Sequence, residues 1–189
     1  MTDELRIIST SEELDVISDM FRLRIIHVYR DHKGPLTVKG CADILGEVSS
    51  KVHYHVKKLL KVNFLELDHI EVINGINAKY YKLTARQFEV RLVDQDEKTL
   101  EKSLHKLTTL TVSIIENFKM DFITTSQNAI ANDIKDETDV GWVSSSHIYL
   151  SEEEYMEFKT LLTKFILDRS EYSAEKKKYS YISGISHKK

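Results

Sequence analysis

One cysteine stands in a chain of 189 residues, so no intrachain disulfide can form. No apolar run approaches the roughly 20 residues that a membrane-spanning helix needs. The opening stretch, MTDELRIISTSEEL, has no apolar signal core, and the expectation is a cytoplasmic protein without a membrane partner. Also missing are a glycine-rich phosphate loop, an HExxH helix and a paired-cysteine site. No catalytic residue, metal ligand or cofactor is therefore expected, and the chain does not read as an enzyme. Cys41 itself lies on an apolar face, which fits a small buried core residue better than a redox sensor.

A hydrophobic content of 41% lets a chain of this length bury one or two modest cores. The net charge of -3 argues against a nucleic-acid partner only if it is spread evenly, and it is not. From Phe21 to Leu83 there are eleven Lys and Arg against six Asp and Glu, while the segments on either side are acidic in balance. An excess of five suits phosphate contacts but is too small for affinity in one copy. Two copies would double the contacts, so a homodimer is expected.

Within that basic segment, Val48 to Leu65 reads VSSKVHYHVKKLLKVNFL. Val52, Val56, Leu59 and Leu60 recur at helical spacing and would anchor one face on a core. The other face then presents Ser49, Ser50, Lys51, His53, Tyr54, Lys57 and Lys58. Hydroxyl and imidazole groups suit base edges, and lysines suit phosphates. A solvated surface helix has the same general composition, so the flanks matter. Upstream, Val38, Cys41, Ala42 and Leu45 mark the buried face of a short helix stopped at Gly46. Downstream, LELDHIEV and KYYKLT flank an Asn74-Gly75 turn signal, which predicts a β-hairpin. Helix, turn, helix and hairpin is the order of a winged helix-turn-helix, whose second helix enters the major groove.

From about Ile17 to Thr84 the chain resembles the ArsR-type winged-helix transcriptional regulators, in the branch with long C-terminal extensions. The resemblance rests on Phe21-Arg22-Leu23-Arg24-Ile25-Ile26, on Ala42-Asp43-Ile44-Leu45-Gly46, and on Val52 to Leu59, where Tyr54-His55-Val56 matches the family's aromatic or histidine, histidine, aliphatic run. It implies a sequence-specific transcriptional regulator, read as a repressor, bound to double-stranded DNA as a homodimer. The helix set above would read the groove, and Asn74, Gly75 and Lys79 would seat the wing on the backbone. Two positions depart from the pattern. Val48 stands where a Ser cap is usual, with Ser49 expected to cap one residue later, and Asn63 replaces a Gly, Asn being tolerant of the left-handed conformation. The family's metal sensors carry cysteines where this chain has Thr37 and Lys39, so a metal sensor is not expected.

The fold expected is mainly α with a small β-hairpin: a winged helix-turn-helix domain over residues 1–92, then a long dimerisation helix and a C-terminal α+β extension over 93–189. Leu100, Leu104, Leu107, Thr111, Ile114 and Phe118 alternate steps of four and three along a helix from roughly Asp94 to Asn132, the pattern of an intersubunit seam. A core helix within the monomer is the other reading. After IKDETDVGW, residues 147–150 (HIYL) fit a short strand, and Ser151-Glu152-Glu153-Glu154 opens a further helix to about Ser170 with a capping-box pattern. The tail from Ala174 reads as mobile or partly ordered. Trp142, Tyr149, Tyr155 and Phe158 suit either the core of this region or a pocket for an unidentified small-molecule effector.

His53 and His55, two apart on a helix, point to different faces and make poor co-ligands, while Glu101 and His105 can face each other as solvated pairs commonly do. Two other function classes remain open. One is a winged-helix protein-interaction module, which acidic residues on the second helix would favour and which that helix lacks. The other is a small-molecule-binding protein with its site after Asp94.

Overall fold

The computed structural model describes residues 3–91, 97–170, 173 and 175–184, which carry seven helices and five strands. They fall into two compact units, one holding the described residues up to Leu110 with 167–170, the other those of Thr111–Ile166 and from Ser173 onward.

The first unit begins with β1 (Asp3–Ile8) and α1 (Ser11–Ile17). Thr10 caps α1 through a closed capping box: its hydroxyl accepts from the Glu13 amide at 3.2 Å, and Glu13 Oε2 accepts from the Thr10 amide at 3.0 Å. Asp19 caps α2 (Met20–Asp31) by accepting from the Arg22 amide at 2.9 Å. After β2 (Leu36–Thr37), the Thr37 hydroxyl caps α3 (Val38–Leu45), and Gly46 ends it in the left-handed conformation at φ 66°. That conformation turns the chain at once into α4 (Ser49–Lys61), so the two helices meet across three residues. Then come β3 (Leu65–Ile73), β4 (Ile76–Leu83) and β5 (Ala85–Val90).

The helices share one core. Leu14, Ile25, Val52, Val56 and Leu59 are fully buried, and Ile8, Phe64 and Leu65 are 1% exposed. Burying a side chain of this size contributes about 1.5–3 kcal/mol, so this cluster sets the inward face of α4. Cys41 lies in the same core, and burial pushes its thiol up to about 12.

The β content exceeds a hairpin. β3 and β4 pair antiparallel from Leu65↔Leu83 to Ile73↔Ile76, with an irregularity between Leu67 and His69, and β2 joins β4 through Leu36↔Tyr81. A separate parallel pair forms between β1 and β5, with Arg6 opposite Phe88 and Ile8 opposite Val90. Both strands are new relative to the sequence reading. The turn between β3 and β4 is as expected: Asn74 at φ 51° and Gly75 at φ 78° both adopt the left-handed region that a two-residue hairpin turn needs.

The first unit also takes in the start of α5 (Glu97–Ala131). Lys106 Nζ donates to the Ser11 hydroxyl at 2.7 Å and pairs with Asp15 at 2.6 Å, and the Ser18 hydroxyl donates to the Lys106 carbonyl at 3.2 Å. Leu107 packs against the core and Leu110 is 3% exposed within it. Core packing therefore continues past residue 93, to Leu110.

The second unit holds the rest of α5, α6 (Glu137–Val140) and α7 (Glu152–Leu167). Phe118 and Phe122 stack with centroids 6.2 Å apart. The capping box at α7 forms as expected, the Ser151 hydroxyl accepting from the Glu154 amide at 3.2 Å and Glu154 accepting from the Ser151 amide at 2.7 Å. The strand expected at 147–150 does not form, and the α+β expectation fails there: Tyr149 is 95% exposed and, among the described residues, no strand lies beside it to pair its backbone. Part of the tail is tied down. Lys177 pairs with Asp139 at 2.7 Å, and the Tyr179 hydroxyl donates to the Thr138 carbonyl at 2.9 Å.

Candidate nucleic-acid interface

α4 carries most of the candidate residues on one exposed face. Val48 is its N-cap and makes no side-chain cap bond, so Ser49 does not cap the helix but opens it. Ser49 and Ser50 are exposed in its first turn, with His53, Tyr54, Lys57 and Lys58 exposed along the same face. Fully buried Val52, Val56 and Leu59 hold the opposite face, and Leu60 is half-buried. The helix has four lysines and no carboxylate. A solvated helix usually mixes the two signs, so this face has an unbalanced positive field.

Two of the lysines are steered. Lys51 pairs with Glu47 at 2.8 Å and its Nζ lies 4.2 Å from the centroid of the Phe21 ring, while Lys58 Nζ lies 5.6 Å from that of Tyr54. His55 sits behind them. Its side chain is 15% exposed, its ring meets Phe21 edge-on at 4.8 Å, and its Nδ1 is buried without a hydrogen bond, 3.9 Å from Asp19. Burial is the main cause holding its pKa below the ordinary value, Asp19 opposing and Arg22 and Lys51 assisting. His55 is thus an interior residue and His53 a surface one. Phe21, the platform for both Lys51 and His55, entered the sequence reading only as part of a family motif.

The hairpin differs in chemistry from α4. Lys79 is exposed and stands opposite Ile70, the Tyr80 ring stacks on His69 at 4.5 Å, and Lys82 pairs with Asp68 at 2.8 Å. Hydrogen bonds from Lys82, then from His69, hold the Asp68 carboxyl below its ordinary range. Toward the turn apolar side chains are exposed among the polar Glu71, Asn74 and Asn77: Val72 at 68% and Ile76 at 72% flank Asn74 and Gly75. Any backbone contact at the tip rests on main-chain amides and the Asn74 amide, with Lys79 as the cation behind them.

The six seam residues of α5 do not share one environment. Leu107 packs on the first unit's core, and Leu100 is half-buried. Leu104, Thr111 and Ile114 are exposed, the first at 50% and the last at 40%, and Phe118 is half-buried against Phe122. Trp142 at 72%, Tyr149 at 95%, Tyr155 at 38% and Phe158 at 42% are all exposed, so in one copy they form neither a core nor an enclosed pocket. Among the described residues, no group of three or more His, Cys, Asp or Glu side chains is placed to hold a metal ion, and no helix is long and apolar enough to cross a membrane.

No family model matches the chain, and no curated protein matches it. Among solved structures it is similar to the heme sensor protein PefR in complex with heme and carbon monoxide, at 14% identity and a TM-score of 0.29, over 85% of this chain and 82% of that one. The heme complex of PefR from Streptococcus agalactiae gives the same identity and TM-score over 84% and 80%. At this level of likeness no fold, ligand or residue role is carried across.

Proposed function

We propose that the chain is a winged helix-turn-helix transcriptional regulator of the ArsR type, a repressor that binds double-stranded DNA as a homodimer and has no catalytic role. The observation that carries this reading is the face of α4. Ser49, Ser50, Lys51, His53, Tyr54, Lys57 and Lys58 stand together on a helix without a carboxylate, fixed from behind by three fully buried side chains. Such a helix can enter a major groove without distorting the core that supports it. The hairpin from Leu65 to Leu83 follows it in the order a wing requires, with Asn74, Gly75 and Lys79 for the backbone.

The dimer reading is supported by unburied apolar surface. Along α5, Leu104, Val112, Ile115, Met120 and Ile130 are 47–81% exposed, and on α7 Met156, Leu161 and Phe165 are 56–62% exposed. Apolar surface on this scale calls for a partner, and a second copy also doubles the phosphate contacts. An effector site at Trp142, Tyr149, Tyr155 and Phe158 would need that second copy to enclose it. One observation favours the protein-interaction alternative: the hairpin tip is apolar at Val72, Ile73 and Ile76.

Fluorescence anisotropy on duplexes selected from a random pool decides between them. Lys79→Ala should weaken binding to every sequence and lower the salt slope by about one unit, as loss of one phosphate contact does. Ser50→Ala or His53→Ala should instead relax sequence preference, by on the order of 1 to 3 kcal/mol for a lost base contact. A folded protein that selects no sequence, or keeps full affinity after Lys51, His53, Tyr54 and Lys57 are all changed to Ala, refutes the DNA reading and moves the interaction module ahead.

A further inference from the structure

Arg6, on β1, grips the far end of α4. Its guanidinium donates to the Val62 carbonyl at 2.8 Å and to the Asn63 carbonyl, pairs with Glu13 Oε1 at 2.6 Å, and lies 5.0 Å from the centroid of the Phe64 ring. Val62 is the C-cap of α4, and Asn63 turns the chain away in the left-handed conformation at φ 56°. The last carbonyls of a helix lack intrahelical donors and form the negative end of its dipole, so a cation with several donors satisfies both needs. The Thr84 hydroxyl donates to the same Asn63 carbonyl at 2.6 Å.

The grip is itself fixed. Glu13, which orients the guanidinium, is locked by the capping box of α1, and Arg6 and Glu13 side chains are only 19% and 14% exposed. Phe64 packs on Phe88 at 4.7 Å, and Phe88 is the strand partner of Arg6 in the β1–β5 pair. One side chain therefore joins β1, α1, the end of α4 and, through Phe64, β5. A second tie, from Lys61 of α4 to Glu12 of α1 at 2.6 Å, is exposed on both sides and contributes little.

We infer that Arg6 is a positioning residue for DNA reading: it acts through α4, whose pose it sets from the β1–β5 pair. The inference rests on the reading of α4 as the recognition helix. α4 has 13 residues, so a tilt of about ten degrees at its C-terminal end moves its first turn by roughly 3 Å. A base-edge hydrogen bond does not survive that displacement, whereas a flexible lysine on a phosphate follows it. Losing Arg6 should therefore cost discrimination rather than general affinity.

The test compares wild type with Arg6→Gln, Arg6→Lys and Glu13→Gln, by amide hydrogen exchange in the free protein and by anisotropy on a selected duplex and a random one. Arg6→Gln is expected to speed exchange at the last turn of α4 and at Asn63 and Phe64, leaving α2 protected. It should lower affinity for the selected duplex by about tenfold or more, the scale of a lost base contact, while random-duplex affinity and its salt slope stay unchanged. Arg6→Lys, which keeps the charge but not the fork, should recover part of the preference. Equal losses on both duplexes, or protection lost evenly across the first unit, would make Arg6 a general stabiliser and overturn the inference. If Arg6→Gln does not fold, Glu13→Gln should give the same pattern in weaker form, and wild-type behaviour there would overturn it as well. A wild type without sequence preference would sink the recognition-helix reading instead, and the exchange measurement would still decide whether Arg6 holds the end of α4.

Discussion

Replacing Leu104 and Ile114 together by Glu should separate the proposed dimer while leaving each copy folded. Both positions belong to the seam read from the sequence, and both are exposed in the single chain, at 50% and 40%. A carboxylate there stays in water in the monomer and costs it little. Leu107 is the wrong position for this test, because it packs on the core of the first unit and a charge there would unfold the copy itself. Burying the remaining half of a leucine or isoleucine is worth about 1 kcal/mol. A two-fold interface contains each position twice, so the lost burial is about 4 kcal/mol before any desolvation of the carboxylates. At about 1.4 kcal/mol per tenfold, the dimer dissociation constant should rise by roughly a thousandfold. Light scattering over a concentration series reads this directly, with circular dichroism to show that the helices remain. A variant that dimerises with wild-type affinity would remove α5 from the interface, and a monomeric wild type would remove the dimer from the proposal.

Two further predictions concern pH. Cys41 has its folded pKa pushed up to about 12 by burial, and Tyr29 is shifted upward for the same reason, so both favour the protonated form in the folded state. Their contribution is complete below the ordinary thiol value of 9.0 and is lost as the pH rises toward the folded one; urea midpoints should fall on the alkaline side, and Cys41→Ala should flatten the fall. His55 is shifted the other way, chiefly by burial, so its contribution is present above the ordinary value of 6.5 and is lost as the pH drops through the lower folded value. Urea midpoints should decline in mild acid and His55→Phe should remove that component; an unchanged acid profile in the variant would place the dependence elsewhere.

How much of this was legible in the sequence depended on whether the signal was local. The bounds of α3 and the hairpin turn were readable because Gly46, Asn74 and Gly75 adopt backbone conformations that few other residues tolerate. The inward face of α4 was readable because Val52, Val56 and Leu59 repeat at the helical period and all end fully buried. β1 and β5 were not, because a parallel pair between Asp3 and Val90 depends on contacts some eighty residues apart, which no short window contains. Arg6 was hidden for the same reason, its partners Val62 and Asn63 lying more than fifty residues away. In α5 the period was visible, but it could not separate side chains that pack on their own chain, such as Leu107, from exposed ones such as Leu104. The strand expected at 147–150 failed on a missing neighbour, since β-forming residues alone do not satisfy a strand's backbone.

The contrast between α4 and the hairpin bears on how DNA would be held. Between His69 and Lys79 the hairpin has one lysine, one glutamate and a run of exposed aliphatic side chains, so its electrostatic contribution is small. α4 offers four lysines, of which Lys51 is shared with Glu47 and Lys61 with Glu12. Lys57 and Lys58, together with Lys79, are then the main cations that α4 and the hairpin of one copy would bring to phosphates. Three such contacts give a shallow salt dependence and weak binding, about −2.7 for the logarithmic slope on B-form DNA. On the proposed reading, useful affinity on this surface would need a second copy, and the exposed apolar side chains of α5, such as Leu104, Val112 and Ile115, are the proposed place of contact.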